Sequence, residues 1–196
     1  MQRPPNLPLT PAQHRARTGE GPLWVFAYGS LMWRPGFAFA ERIPAVLHGW
    51  HRSLCILSLR YRGTPAQPGV VLGLDRGGSC TGIAYRIAPE HRQQAVEYLD
   101  DRELDMDCYH PRFARLRLAD GRVVESYLYV ADRQASQYAG ALSLQDRLAL
   151  LRHGVGEMGS SRDYLEQTVV QLAALGVRDG ALHRLLRALD NDAPSC

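Results

Sequence analysis

Leu23-Trp24-Val25-Phe26-Ala27-Tyr28-Gly29-Ser30-Leu31 is the stretch from which the rest of the chain is read. Its first five residues are a short apolar run that reads as a buried strand. Tyr28-Gly29-Ser30 ends that run in a glycine turn. Such a turn can point successive backbone N–H groups at a carboxylate or a developing oxyanion. Many strand ends carry Gly-Ser with only structural meaning, so the turn alone does not decide between the two.

Outward from it, residues 45–60 and 70–87 read as further strands, because their β-branched and aromatic residues are interrupted by glycines. Between them, Arg60-Tyr61-Arg62-Gly63-Thr64-Pro65-Ala66-Gln67-Pro68-Gly69 is a loop by its turn chemistry. Pro89 opens a helix that runs to about Glu103, since proline in the first helical turn loses no hydrogen bond. Residues 112–118 and 122–130 flank Asp120-Gly121, a hairpin signal. Ser143-Leu144-Gln145-Asp146 and Ser160 through Asp163 resemble capping boxes, and residues 161–189 read as two helices with Gly176 between them. Residues 1–22, rich in proline and polar groups, read as a loosely held, flexible arm. Strands early and helices late make an α+β fold, with one domain over residues 23–196 and no internal repeat.

Composition narrows the function classes. A chain of 196 residues fits one domain with a real core, and 45% hydrophobic with 22% charged residues excludes wholesale disorder. The net charge of +3 comes from arginines scattered without a stripe, so no nucleic-acid partner is expected. The chain has no lysine, which removes Schiff-base and P-loop lysine chemistry. Cys55, Cys80, Cys108 and Cys196 form no CxxC pair and read as free thiols of a reducing cytosol. The N-terminus lacks an apolar signal region and no run approaches membrane-spanning length. A cytoplasmic protein without a membrane partner is the expectation.

Several motifs mislead. Gly154-Val155-Gly156-Glu157-Met158-Gly159 spells the dinucleotide-binding fingerprint, which requires a strand before it. Residues 144–153 have helical periodicity instead, so Gly154 reads as a helix C-cap. Asp101, Glu103, Asp105 and Asp107 alternate like a calcium loop, but Met106 and Arg112 stand where glycine and glutamate are needed. His48 and His51 suggest no third ligand, so neither a metal nor a cofactor is expected. Ser30 lacks the elbow of a nucleophilic serine.

Glu103 is the carboxylate that stands out. Val96, Leu99 and Glu103 share one face of the helix from Pro89, and the apolar pair marks that face as inward. Glu103 is thereby carried toward the core at a helix C-terminus, where the macrodipole disfavours negative charge. Both effects raise its pKa, the condition for a general base near neutral pH. A salt bridge to an arginine at a frayed helix end is the competing structural reading.

The ordered set FAYGSL at 26–31, RYRGTPAQPG at 60–69, YLDDRE at 98–103, Tyr109 with Pro111, Tyr138 and GVGEMGSSRDYLEQT resembles the bacterial ChaC-type gamma-glutamylcyclotransferases. The resemblance runs from about residue 23 to 189. It implies a compact mixed β-barrel with helices packed outside, and cleavage of glutathione to 5-oxoproline without metal or cofactor. It implies Glu103 as the catalytic residue. It places Phe26, Ala27, Tyr28, Gly29, Ser30, Leu31 and Tyr109 at the substrate. Two alternatives stay open: a cyclotransferase for gamma-glutamyl amino acids or gamma-glutamylamines, and a non-catalytic binding module on the same scaffold.

Overall fold

The computed structural model of the chain describes residues 9–191. In chain order it contains helix α1 (Pro11–Thr18), strands β1 (Leu23–Ala27), β2 (Glu41–Ser58) and β3 (Gly69–Ile87), and helix α2 (Arg92–Glu103). Strands β4 (Tyr109–Leu118) and β5 (Val123–Ala131) follow, then helix α3 (Leu144–His153). Two short strands β6 (Val155–Gly156) and β7 (Gly159–Ser160), helix α4 (Ser161–Ala174) and helix α5 (Gly180–Asn191) complete it. Backbone contacts divide the chain into two units: residues up to 52 with 73–136, and residues 53–72 with those from 137 onward.

Five strands close a barrel in the order β1-β3-β2-β4-β5. The barrel is mixed: β1 runs antiparallel to β3, with Val25 opposite Tyr85, and parallel to β5, with Val25 opposite Tyr127. All five residues of β1 are buried, which is why its sequence is a continuous apolar run without alternation. The Asp120-Gly121 turn joins β4 to β5 as expected, with Gly121 at φ +91. The helix predicted from Pro89 begins as a single 3₁₀ turn (Pro89–His91) before continuing as α2.

The N-terminal arm is a correction. Pro11–Thr18 is a helix capped by Thr10, whose Oγ1 accepts from the Gln13 N–H while the Gln13 side chain accepts from the Thr10 N–H. Thr10-Pro11 followed by Gln13 is a reciprocal capping box with proline at the first turn, a helix start that proline content alone conceals. The segment is also tied down. Arg92, itself buried, donates to the carbonyls of Arg15 and Ala16 in α1 and of Glu20 and Gly21 beyond it. The remaining residues of the expected arm, 1–8, lie outside the described residues, as does Cys196.

In the second unit, α3, α4 and α5 pack on one another. The nucleotide-like glycine stretch has a packing role here. Gly154 caps α3 through its N–H to Leu150 O, and a Cβ on it would collide with the backbone of Gly69 and Arg62. Ser161 Oγ accepts from the Val70 N–H at 2.9 Å and donates to Arg62 O at 3.0 Å. These residues exist to let two backbones approach, and β6–β7 is a tight hairpin where the fingerprint requires a strand leading into a helix.

Candidate active site

The turn after β1 is held by its carbonyls. Arg52 Nε donates to Tyr28 O at 2.6 Å, and the Tyr85 hydroxyl reaches Leu31 O and Met32 O at 3.2 Å each. Gly29 O accepts from the Met32 N–H, and Ser30 O accepts from Trp33 and Arg34. Every carbonyl from Tyr28 to Met32 therefore has a protein partner. The N–H groups of Gly29, Ser30 and Leu31 precede the first bonded donor of the 3₁₀ turn Ser30–Met32, and the opening donors of such a turn have no partner within it. What this turn offers a ligand is hydrogen-bond donors, the arrangement suited to a carboxylate or an oxyanion.

Glu103 ends α2 on the face that Val96 and Leu99 bury completely. Its side chain is 18% exposed, with Oε1 3.3 Å from Arg102 Nε. Burial pushes its pKa above the ordinary glutamate value, and the Arg102 charge opposes that rise without cancelling it. A carboxyl group in this state accepts a proton at higher pH than an exposed one. Arg102 is also the link to the turn: its Nη2 donates to Ser30 Oγ at 2.9 Å.

The remaining expected residues fall as follows. Phe26 and Ala27 are the buried end of β1, paired with Ala84 and Ile83, and the Phe26 ring lies 6.4 Å from that of Tyr28. Tyr28, Gly29, Ser30 and Leu31 form the single turn described above. Tyr109 opens β4 opposite Ala131 and is half-buried. His48 and His51 lie in β2, and His51 Nδ1 is 3.2 Å from Gly77 O. No group of three or more His, Cys, Asp or Glu side chains is arranged to hold a metal among the described residues.

Comparison with known proteins now bears on the site. The sequence model for ChaC-like protein matches residues 23–192. The chain belongs to the ChaC-like family. It is 38% identical over 185 residues to the glutathione-specific gamma-glutamylcyclotransferase of Escherichia coli, covering 94% of this chain and 79% of that one. It is 30% identical to the enzyme of the same name from Schizosaccharomyces pombe, covering 84% and 89%. The crystal structure of a yeast gamma-glutamyl cyclotransferase specific to glutathione superposes with a TM-score of 0.81. It covers 88% of this chain and 97% of that one at 24% identity, and so shares the barrel fold.

Sequence reasoning did not single out four residues around this ChaC-like site. Arg52 and Tyr85 hold the turn from strands far along the chain, and Arg102 joins it to Glu103. Asp100, one turn before Glu103, is a buried carboxylate that accepts from Gln13, Arg17, Tyr127 and Tyr129. A second carboxylate on the inward side of the same helix was the available signal. Its partners are 27 to 87 residues away and invisible to local pattern.

Proposed function

We propose that this protein is a glutathione-specific gamma-glutamylcyclotransferase in which Glu103 is the general base. The observation that carries this is an inward-facing carboxylate of raised proton affinity, joined through one arginine to a turn whose carbonyls are all engaged, in a ChaC-like chain. The glutamyl α-amine of the substrate attacks its own γ-carbonyl carbon. A C–N bond closes the five-membered lactam of 5-oxoproline, the γ-amide C–N bond breaks, and Cys-Gly leaves. An α-ammonium has a pKa of about 8, so at neutral pH it must lose a proton before it can attack. Glu103 takes that proton and returns it to the departing nitrogen, while the attacking nitrogen sheds a second proton to solvent as the lactam forms and the released amine of Cys-Gly takes one up. Attack within one molecule already has an effective molarity of ~10⁵–10⁸ M once the chain is folded correctly. The protein's remaining tasks are to fold the glutamyl chain and to stabilise the tetrahedral oxyanion, for which the N–H groups of Gly29, Ser30 and Leu31 are the donors. Tyr109 contributes its hydroxyl at the substrate. The buried cysteine thiols Cys55, Cys80 and Cys108 accord with a reducing cytoplasm, where the enzyme is expected to act.

Incubation of the purified protein with glutathione, followed by chromatography, should yield 5-oxoproline and Cys-Gly in equal amounts. N-acetyl-glutathione should give neither, because its nucleophile is blocked. Gamma-glutamyl-alanine lacks the glycine carboxylate, and losing one charge-assisted hydrogen bond of ~1.5–3 kcal/mol lowers kcat/KM by about 10–150-fold. Equal kcat/KM for the two substrates would make this a general gamma-glutamyl cyclotransferase.

A further inference from the structure

The guanidinium of Arg102 is engaged on every side. Nη2 donates to Ser30 Oγ at 2.9 Å, and Nη1 donates to Arg34 O at 2.8 Å and to the Tyr98 hydroxyl at 2.9 Å. Nε stands 3.3 Å from Glu103 Oε1, longer than the ~2.7–2.9 Å of a tight charge-assisted bond. The firm bonds thus run to the turn and to the loop after it. Glu103 receives a neighbouring charge and a loose contact, which leaves its oxygens open to a proton from elsewhere.

Tyr98, four residues before Arg102 and therefore on the same side of α2, is seated in its turn. Gly36, at φ +74, lies so close to the Tyr98 hydroxyl that a Cβ there would collide with it. Phe37 meets the Tyr98 ring edge-on at 6.5 Å. The segment from Ser30 to Phe37 is in this way tied to the helix of the base at three points: Ser30, Arg34 and the Gly36–Phe37 pair.

We propose that Arg102 is a positioning residue that locks the turn Tyr28–Leu31 to the helix carrying Glu103, and so sets the separation between the base and the substrate amine. The proposal rests on Glu103 being the base. Placement is what a cyclisation demands of its enzyme, and a misplacement of about 1 Å costs roughly 10²-fold. A lysine could keep the charge but not the directed fork of three bonds. Among charged groups near the base, Arg102 is the one that acts on Glu103, while Asp100 on the preceding turn is enclosed by Gln13, Arg17, Tyr127 and Tyr129.

The test compares Arg102→Ala, Arg102→Lys and Ser30→Ala with the wild type. It measures kcat and KM for glutathione, the pH profile of kcat/KM, and amide hydrogen exchange over residues 29–37. Arg102→Ala should lower kcat/KM about 10²-fold, move the acid limb to higher pH because the neighbouring cation is gone, and speed exchange in 29–37 while β1 stays protected. Arg102→Lys should keep the acid limb near its wild-type position without restoring kcat/KM. Ser30→Ala should reproduce part of the exchange effect with the acid limb unmoved. Full activity in the lysine variant, or unchanged exchange and acid limb in Arg102→Ala, would overturn the proposal. Should Arg102→Ala fail to fold, the lysine variant decides: restored kcat/KM counts against the clamp and a continued deficit for it. A wild type without turnover would defeat the proposed function instead, and the exchange data would still decide the clamp.

Discussion

Helix α2 carries two inward-facing carboxylates one turn apart, and they are treated in opposite ways. Asp100, 4% exposed, receives the hydroxyls of Tyr127 and Tyr129 on Oδ1 at 2.7 and 2.8 Å. Its Oδ2 receives Gln13 Nε2 at 3.1 Å and Arg17 Nη2 at 2.9 Å. Burial pushes both tyrosines well above the ordinary range, helped next by the charge of Asp100 for Tyr127 and by neighbouring Tyr127 and then Asp100 for Tyr129, so they remain protonated donors. Glu103 has no such enclosure: one guanidinium at 3.3 Å faces it, and burial raises its proton affinity. A fully satisfied buried carboxylate organises structure, here by gathering α1, α2 and β5 around one group. An under-satisfied one costs stability and is ready to take a proton. Donors enclose the one carboxylate and leave the other open, on a single helix.

The sharpest way to break this contrast is to neutralise each carboxylate separately. Glu103→Gln should lower kcat by ~10²–10⁴-fold while leaving the fold and glutathione binding intact. Asp100→Asn should do the reverse in kind, losing on the order of 3 kcal/mol of stability as four donors face an amide, with a smaller effect on turnover per folded molecule. Urea denaturation and kcat measured on both variants check the pair, and a Glu103→Gln protein as destabilised as Asp100→Asn would erase the distinction. Removing one donor is milder: Tyr127→Phe should cost about 1 kcal/mol with kcat unaffected. The smallest expected effect is on the pH dependence of stability. Because the folded-state pKa of Glu103 lies above its unfolded value, the native state binds the extra proton between the two, and stability falls as pH rises through that window. Glu103→Gln should therefore be slightly more stable than wild type near neutral pH, with the advantage vanishing in acid. Thermal melts across pH should show the two curves converging as pH falls.

Much of the barrel was legible because local chemistry and tertiary role agree. The run at 23–27 is buried on both faces, Asp120-Gly121 makes the turn its φ preferences favour, and Ser160 with Asp163 forms the expected capping box. The inward placement of Glu103 was legible for the same reason, since it follows from Val96 and Leu99 on one helix. Helix α1 was not. Its Gln13 and Arg17 look solvated in sequence, yet they complete Asp100 from more than 80 residues away. Arg102 escaped notice because an arginine at a helix end is ordinarily a surface charge. Only the approach of Ser30, Arg34 and Tyr98 gives it another use. Local pattern finds the face on which a group lies, and long-range donors decide what the group does there.

The most direct test of Glu103 as the base is the pH profile of kcat/KM for glutathione, followed by 5-oxoproline release. The reactive pairing is ionised Glu103 with the substrate ammonium, so the acid limb reports Glu103 in the free enzyme. The limb should lie above the ordinary glutamate range and disappear from the residual activity of Glu103→Gln. An acid limb that persists unchanged in Glu103→Gln, or a Gln variant keeping more than about a tenth of wild-type kcat, would contradict the assignment.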